Sequence, residues 1–252
     1  MKEETQLGLN RTGIQMSPFD ASELQRDVES AAPEPPGDAS ALADLRKTFI
    51  TNSDPIGSVP IPATLRGAVS TVTAKLTGDQ PEVLLDKLGE RLAFERTGTR
   101  LYDALISKFD AAKSGTPSMT RDDLLKIRND EMRHFSLLAD AIQSVGGDPT
   151  AQTPCADVAG VEAMGLMQVL TDPRTTLAQS LHAILVAEMT DNLGWDHLIA
   201  LAENNGLNAM TSDFESARNE ERIHLQSVQG WLEEATLGMA APSAAGQAPT
   251  VH

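Results

Sequence analysis

A chain of 252 residues with 40% hydrophobic side chains can build one generous domain or two small ones around a packed core, which excludes disorder throughout. The formal net charge of −16 repels phosphate backbones and anionic lipid, so neither a nucleic-acid nor a membrane partner is expected. Aromatics are only 4%, which leaves Leu, Ala, Ile, Val and Met to form the core and favours helices; the single cysteine, Cys155, excludes an internal disulfide or a Cys-rich zinc or iron–sulfur site within the chain.

The N-terminal MKEETQLGLNRTGIQMSPFD mixes charged and polar residues without an apolar h-region, and no run of about 18 apolar residues follows, so a cytoplasmic location is expected. Residues 1–79 contain Pro18, Pro33, Pro35, Pro36, Pro55, Pro60 and Pro62, which argue against long regular elements. This stretch reads as an extended or partly disordered Pro-rich arm with one short amphipathic helix at 63–76.

From residue 79 apolar side chains recur at three- and four-residue steps, and Pro81 is tolerated in a first turn, which predicts a first long helix to about residue 113. Ser114-Gly115-Thr116-Pro117 is a turn. Thr120 with Asp123 resembles a capping box that opens a second helix, stopped at Gly146-Gly147. Residues 148–173 hold one short apolar helix and are too long for a hairpin, so they read as a crossover. A third helix spans about 174–203 and ends at Asn204-Asn205-Gly206. Ser212 with Glu215 offers a second capping box for a fourth helix closing near residue 235, and 236–252 reads as a flexible tail. The expected organisation is all-α: an arm over 1–79, a four-helix bundle over 80–235, and the tail.

The two helix pairs repeat one another. LAFERTGTRLYDALI (92–106) aligns without gaps with LVAEMTDNLGWDHLI (185–199), matching Glu95 with Glu188 and Tyr102 with Trp195. RNDEMRHF (128–135) aligns with RNEERIHL (218–225), sharing Arg-Asn-acid-Glu-x-x-His. Residues three apart on a helix share a face, so Glu131 points with His134 and Glu221 with His224. Glu95 and Glu188 each lie on a largely apolar stripe with a large ring, which turns these carboxylates inward. Four buried carboxylates repel one another and lose hydration, and they persist only if they are protonated or balanced by cations. Two divalent ions balance four carboxylates, and two imidazoles complete a nitrogen-and-oxygen set suited to iron or manganese. A lone Glu-x-x-His is a weak signal, because a helical Glu is usually a solvated surface residue; its duplication on repeat-related helices is a strong one.

The neighbouring positions allow more than one reading. Asp191, three residues after Glu188, is either a seventh ligand or a polar partner of the ligands. Asp130 and Glu220 either hydrogen-bond a ligand histidine of the other half or face solvent. Tyr102 either donates a hydrogen bond or an electron near the metals or packs in the core. Glu90, His182 and His197 fall off the ligand faces, and Met164, Met167 and Met189 read as core filler.

Over residues 80–235 the chain resembles the ferritin-like superfamily, in particular the rubrerythrin-type erythrin domains. The resemblance implies that Glu95 and Glu188 are terminal carboxylates, that Glu131 and Glu221 bridge two metals, and that His134 and His224 each ligate one. Asp191 is similar in placement to an extra carboxylate of rubrerythrins but shorter than their usual Glu. The four-cysteine rubredoxin domain of typical rubrerythrins has no counterpart here, so an external electron donor is implied.

The function expected is a non-haem di-iron or di-manganese oxidoreductase reducing hydrogen peroxide or dioxygen. Ferroxidation and iron handling, a manganese catalase-like reaction and a purely structural bundle are the alternatives, and a homodimer is the assembly considered.

Overall fold

The computed structural model of the chain describes residues 18–31, 39–60, 81–112 and 117–240, and every regular element among them is an α-helix. The chain divides into two compact units, 1–54 and 55–252. In the first, α1 (Pro18–Ser30) begins on a proline and α2 (Ser40–Asn52) follows. The prolines had argued against long regular elements in this stretch. Pro18, however, sits where a helix tolerates a missing N–H, and Pro33, Pro35 and Pro36 lie in the sequence between the two helices. The apolar side chains Leu42, Leu45 and Phe49 of α2 are exposed. The short helix expected at 63–76 lies outside the described residues, as does most of the expected tail; its first five residues, 236–240, continue the last helix.

The second unit contains α3 (Pro81–Ala111), α4 (Arg121–Ser144), α5 (Pro154–Thr171), α6 (Leu177–Asn204) and α7 (Asn208–Ala240). Helix α3 packs against α4, α5 and α6, α6 against α5 and α7, and α4 against α7. Ion pairs Asp110–Arg121 and Asp103–Arg128 join the end of α3 to the start of α4, so the two run antiparallel. Asp196–Arg218 sets α6 against α7 in the same sense, at the position that the repeat makes equivalent to Asp103–Arg128. The four long helices form an all-α bundle, and α5 is the connection between its halves.

Local chemistry explains the helix ends. Thr120 Oγ1 accepts from the N–H of Asp123 while the Asp123 carboxylate accepts from the N–H of Thr120, a complete capping box. Thr176 and Gln179 form another at the start of α6 that the sequence reading did not single out, and Thr153 caps α5 ahead of Pro154. Gly146 and Gly206, at φ 84° and 68°, close α4 and α6 with the paired backbone bonds that a left-handed residue permits. One expected cap is corrected: Ser212 lies inside α7, because the chain leaves the Gly206 turn directly into a helix at Asn208.

The core has two apolar regions. Leu84, Leu88, Leu138, Ile142, Leu198 and Phe214 form one, and Leu101, Leu105, Leu124, Leu181, Ile184 and Val228 belong to the other. Between them in sequence on each long helix lie the buried charged residues described below. Met164 and Met189, expected as core filler, are instead exposed at 56% and 55%, while Met167 packs partly buried against the core. No described helix is long and apolar enough to cross a membrane.

Candidate metal centre

Each long helix contributes one or two polar side chains to the middle of the bundle. Glu95 comes from α3, Glu131 and His134 from α4, Glu188 from α6, and Glu221 and His224 from α7, all at most 3% exposed. These are the six residues singled out by the duplicated pattern. Among the described residues they form two overlapping groups, Glu95–Glu131–His134–Glu221 and Glu131–Glu188–Glu221–His224, each offering four donor atoms within 4.8 Å of one another. Glu131 and Glu221 belong to both groups, which is the arrangement that two adjacent cations sharing two carboxylates require.

The imidazoles present Nδ1 inward. His134 Nδ1 lies 2.6 Å from Glu221 Oε1 and 3.8 Å from Glu95 Oε2, and His224 Nδ1 lies 3.0 Å from Glu221 Oε2 and 3.6 Å from Glu131 Oε1. Their outer nitrogens are held across the bundle: His134 Nε2 is 2.9 Å from Glu220 Oε2, and His224 Nε2 is 3.1 Å from Asp130 Oδ2. Asp130 and Glu220 each therefore serve the histidine of the other half. Burial pushes the Asp130 carboxyl up, but hydrogen bonds from Lys126 and His224 outweigh it and keep the group below its ordinary range. An ionised carboxylate can only accept, so His224 carries a proton on Nε2, and Nδ1, beside Glu221 and Glu131, is the nitrogen that would offer its lone pair once a cation replaces the proton there. Trp195 fixes the other ring, meeting His134 edge-on at 5.5 Å between centroids.

The remaining candidates also find places. Tyr102 is 2% exposed, and its hydroxyl donates to Glu188 Oε1 across the bundle. Asp191 is buried outside both groups and accepts from Arg91. Arg91, itself only 3% exposed, donates through Nη2 to Glu95 Oε1 at 2.5 Å as well. The sequence reading missed Arg91. Its signal was position: it precedes Glu95 by four residues and shares its face. Gly98 was missed too. A Cβ there would overlap Glu131 Oε2, so the bare backbone of α3 makes room for a shared carboxylate. Glu90 pairs with Lys87, and His182 and His197 are exposed, away from the site.

Electrostatics show what the cluster lacks. Burial, and then repulsion from Glu221, raise Glu131 to about 8; burial and Glu221 likewise raise Glu188 to about 8. Burial drives Glu95 well above its ordinary value despite Arg91. Burial opposes ionisation of Glu221 as well, but the two histidines beside it, His134 at close approach and His224 through a hydrogen bond, hold it down at about 2. One oxygen on each of Glu95, Glu131, Glu188 and Glu221 has no hydrogen-bond partner, and neither does His134 Nδ1, whose approach to Glu221 lies off the line a hydrogen bond needs. Leaving a buried polar atom unpaired costs about 1–3 kcal/mol, and five such atoms sharing one pocket is the pattern of a cation site. Oxygen and imidazole donors of this kind fit iron or manganese.

No known protein family, curated protein or solved structure matches the chain.

Proposed function

We propose that the protein is a ferritin-like di-metal carboxylate oxidoreductase of rubrerythrin type, holding two iron or manganese ions and reducing hydrogen peroxide or dioxygen. The observation that carries this reading is the pair of four-donor groups sharing Glu131 and Glu221. Glu95 and His134 would hold one ion, Glu188 and His224 the other, with Glu131 and Glu221 common to both. When bound, a pair of iron ions supplies the two electrons that cleave an O–O bond.

The chain's own residues prepare that chemistry. Arg91 and Tyr102 each engage one oxygen of a terminal carboxylate, Glu95 or Glu188, and leave the other oxygen facing the site. Tyr102 holds a proton at its buried hydroxyl, since burial and the nearby Glu188 raise it well above its ordinary value. Glu220 and Asp130 orient the imidazoles, and apolar side chains such as Leu88 and Leu138 on one side and Leu101 and Leu124 on the other keep bulk water out. With Cys155 as the only cysteine, the reductant is an external donor.

Elemental analysis and an optical spectrum of protein purified with iron test the reading against His134→Ala and His224→Ala. Two ions per chain are expected in the parent and fewer in each variant. Full metal content in both variants would overturn the assignment. Rapid oxidation of the diferrous protein by hydrogen peroxide, and slower oxidation by dioxygen, is the expected reactivity; equal sluggishness toward both would rule out a peroxidase.

A further inference from the structure

The two halves of the bundle agree at the six donor positions but differ beside them. In the gapless alignment that matches Glu95 with Glu188, Arg91 stands opposite Ile184, Gly98 opposite Asp191, Leu101 opposite Gly194 and Tyr102 opposite Trp195. Most of these departures belong to one construction. Asp191 accepts from Arg91, and Gly194 leaves the space the guanidinium fills, since a Cβ there would lie 2.5 Å from Arg91 Nη1. The same guanidinium sits 4.4 Å above the Phe94 ring and 5.7 Å from the Trp195 ring. Three residues that break the repeat thus bury one guanidinium beside Glu95, and among the described residues none stands beside Glu188.

The consequence is chemical. Glu95 accepts from the Arg91 guanidinium, whereas Glu188 accepts from the neutral Tyr102 hydroxyl. A carboxylate already balanced by a fixed cation attracts a dication less strongly. Asp191 balances the remaining charge of Arg91 without joining either donor group.

Two further observations point the same way. The Glu220 side chain behind His134 is 39% exposed, whereas the Asp130 side chain behind His224 is 9% exposed, although both pair with Arg133 and Asp130 also with Lys126. A surface cavity of about 240 Å³, lined in part by Arg133, His134, Asp213 and Glu220, reaches the outer side of the His134 ring.

We propose that the two metal positions are unequal by construction: Glu188 and His224 anchor a resident ion, Glu95 and His134 an exchangeable one, and Arg91 is the positioning residue that sets the difference. This rests on the reading of the cluster as a two-ion centre. The cavity beside His134 is then the route by which the exchangeable ion enters and leaves.

Calorimetric titration of the metal-free full chain with Mn²⁺ tests it. Two steps are expected, with dissociation constants at least ~10-fold apart, the range over which groups behind metal ligands tune affinity. His134→Ala should keep the tight step at one ion per chain, and His224→Ala should lose it. In Arg91→Met/Asp191→Ala, which removes Arg91 together with the Asp191 carboxylate it would otherwise strand and leaves Glu95 free for the metal, the weak step should tighten and the gap narrow to about 3-fold or less, with circular dichroism reporting the fold. Arg91→Lys keeps the charge but not the fork and should retain part of the gap. A single step at two ions per chain, a tight step surviving in His224→Ala but not in His134→Ala, or an undiminished gap in a folded double variant overturns the inequality and leaves the two-ion reading standing. Absence of binding by the parent, or two ions bound by both histidine variants, overturns the two-ion reading itself and the inequality with it.

Discussion

Gly98 shows how the site constrains single residues against local preference. Replacing a mid-helix glycine with alanine stabilises an exposed helix by about 1 kcal/mol, so propensity alone favours Gly98→Ala. The overlap of the new Cβ with Glu131 Oε2 decides otherwise: the shared carboxylate must move. Gly98→Ala is expected to weaken metal binding by roughly 10-fold or more while the metal-free chain stays helical, which metal titration and circular dichroism check together. The charges give a pH prediction of definite sign. Glu131 and Glu188 titrate near 8 in the folded metal-free chain against an ordinary 4.5, so their contribution to stability is complete below 4.5 and is lost as pH rises through 8. His224, raised from 6.5 to about 11 by Glu131 and Glu221 in spite of its burial, acts with the same sign at higher pH. Glu221, held at about 2, opposes this only by losing its contribution as pH falls from 4.5 toward 2. In the presence of a chelator the melting temperature should therefore be higher near pH 5 than near pH 8. Glu131→Gln/Glu188→Gln should flatten that slope; a melting temperature that rises with pH in the chelated parent would contradict the assignment.

At the scale of the element, the helices carry their own start and stop signals, and these set the register in which the ligands meet. The Thr120–Asp123 box fixes where α4 begins, 11 and 14 residues before Glu131 and His134 as counted from the cap. Thr120→Ala should cost about 1 kcal/mol, read as a lower denaturation midpoint, with metal content unchanged because packing of the buried face still determines the register. Helix α6 illustrates the opposite weighting. Its capping box at Thr176 and its turn at Gly206 only bound it, while Ile184, Trp195 and Leu198, all at most 1% exposed, determine which face carries Glu188 inward. The repeat extends to the exposed ion pairs, since Asp103–Arg128 and Asp196–Arg218 tie equivalent turns of the two helix pairs. Each is a surface pair worth about 0–1 kcal/mol, so their role is alignment more than stability.

At the scale of the whole molecule, the bundle is two apolar cores interrupted by a charged layer, and the energetics of that layer couple folding to metal. A cation that binds the folded chain and not the unfolded one stabilises it by about 4 kcal/mol at a free concentration 1,000 times its dissociation constant. Chelation should lower the melting temperature by several degrees, and readdition of Fe²⁺ or Mn²⁺ should restore it; an unchanged melting temperature would contradict the proposed centre. Leu88→Ala, at a fully buried position of one core, should cost about 2–5 kcal/mol with the ligands still present. That loss should appear in loaded and metal-free protein alike, which separates a packing defect from a ligand defect.

Much of this was legible in the residues alone. Apolar spacing located three of the four long helices to within about three residues, because a helix that buries one face must repeat at 3.6. The fourth helix begins earlier and ends later than expected, at 208 and 240, and the connecting helix, 154–171, is longer than the short one expected. The duplicated Glu and Glu-x-x-His pattern named the six clustered side chains, because helical geometry fixes which residues share a face before any packing is known. Sequence could place Asp130, Glu220, Tyr102 and Asp191 only near the site, since their partners lie on other helices and the distances between helices are not local quantities. Tertiary packing decided those partners: Asp130 with His224, Glu220 with His134, Tyr102 with Glu188 and Asp191 with Arg91. It also brought Arg91 beside Glu95 and Gly98 beside Glu131, so the inequality proposed for two halves nearly identical in their ligands rests on contacts that exist only once α3 and α6 are packed together.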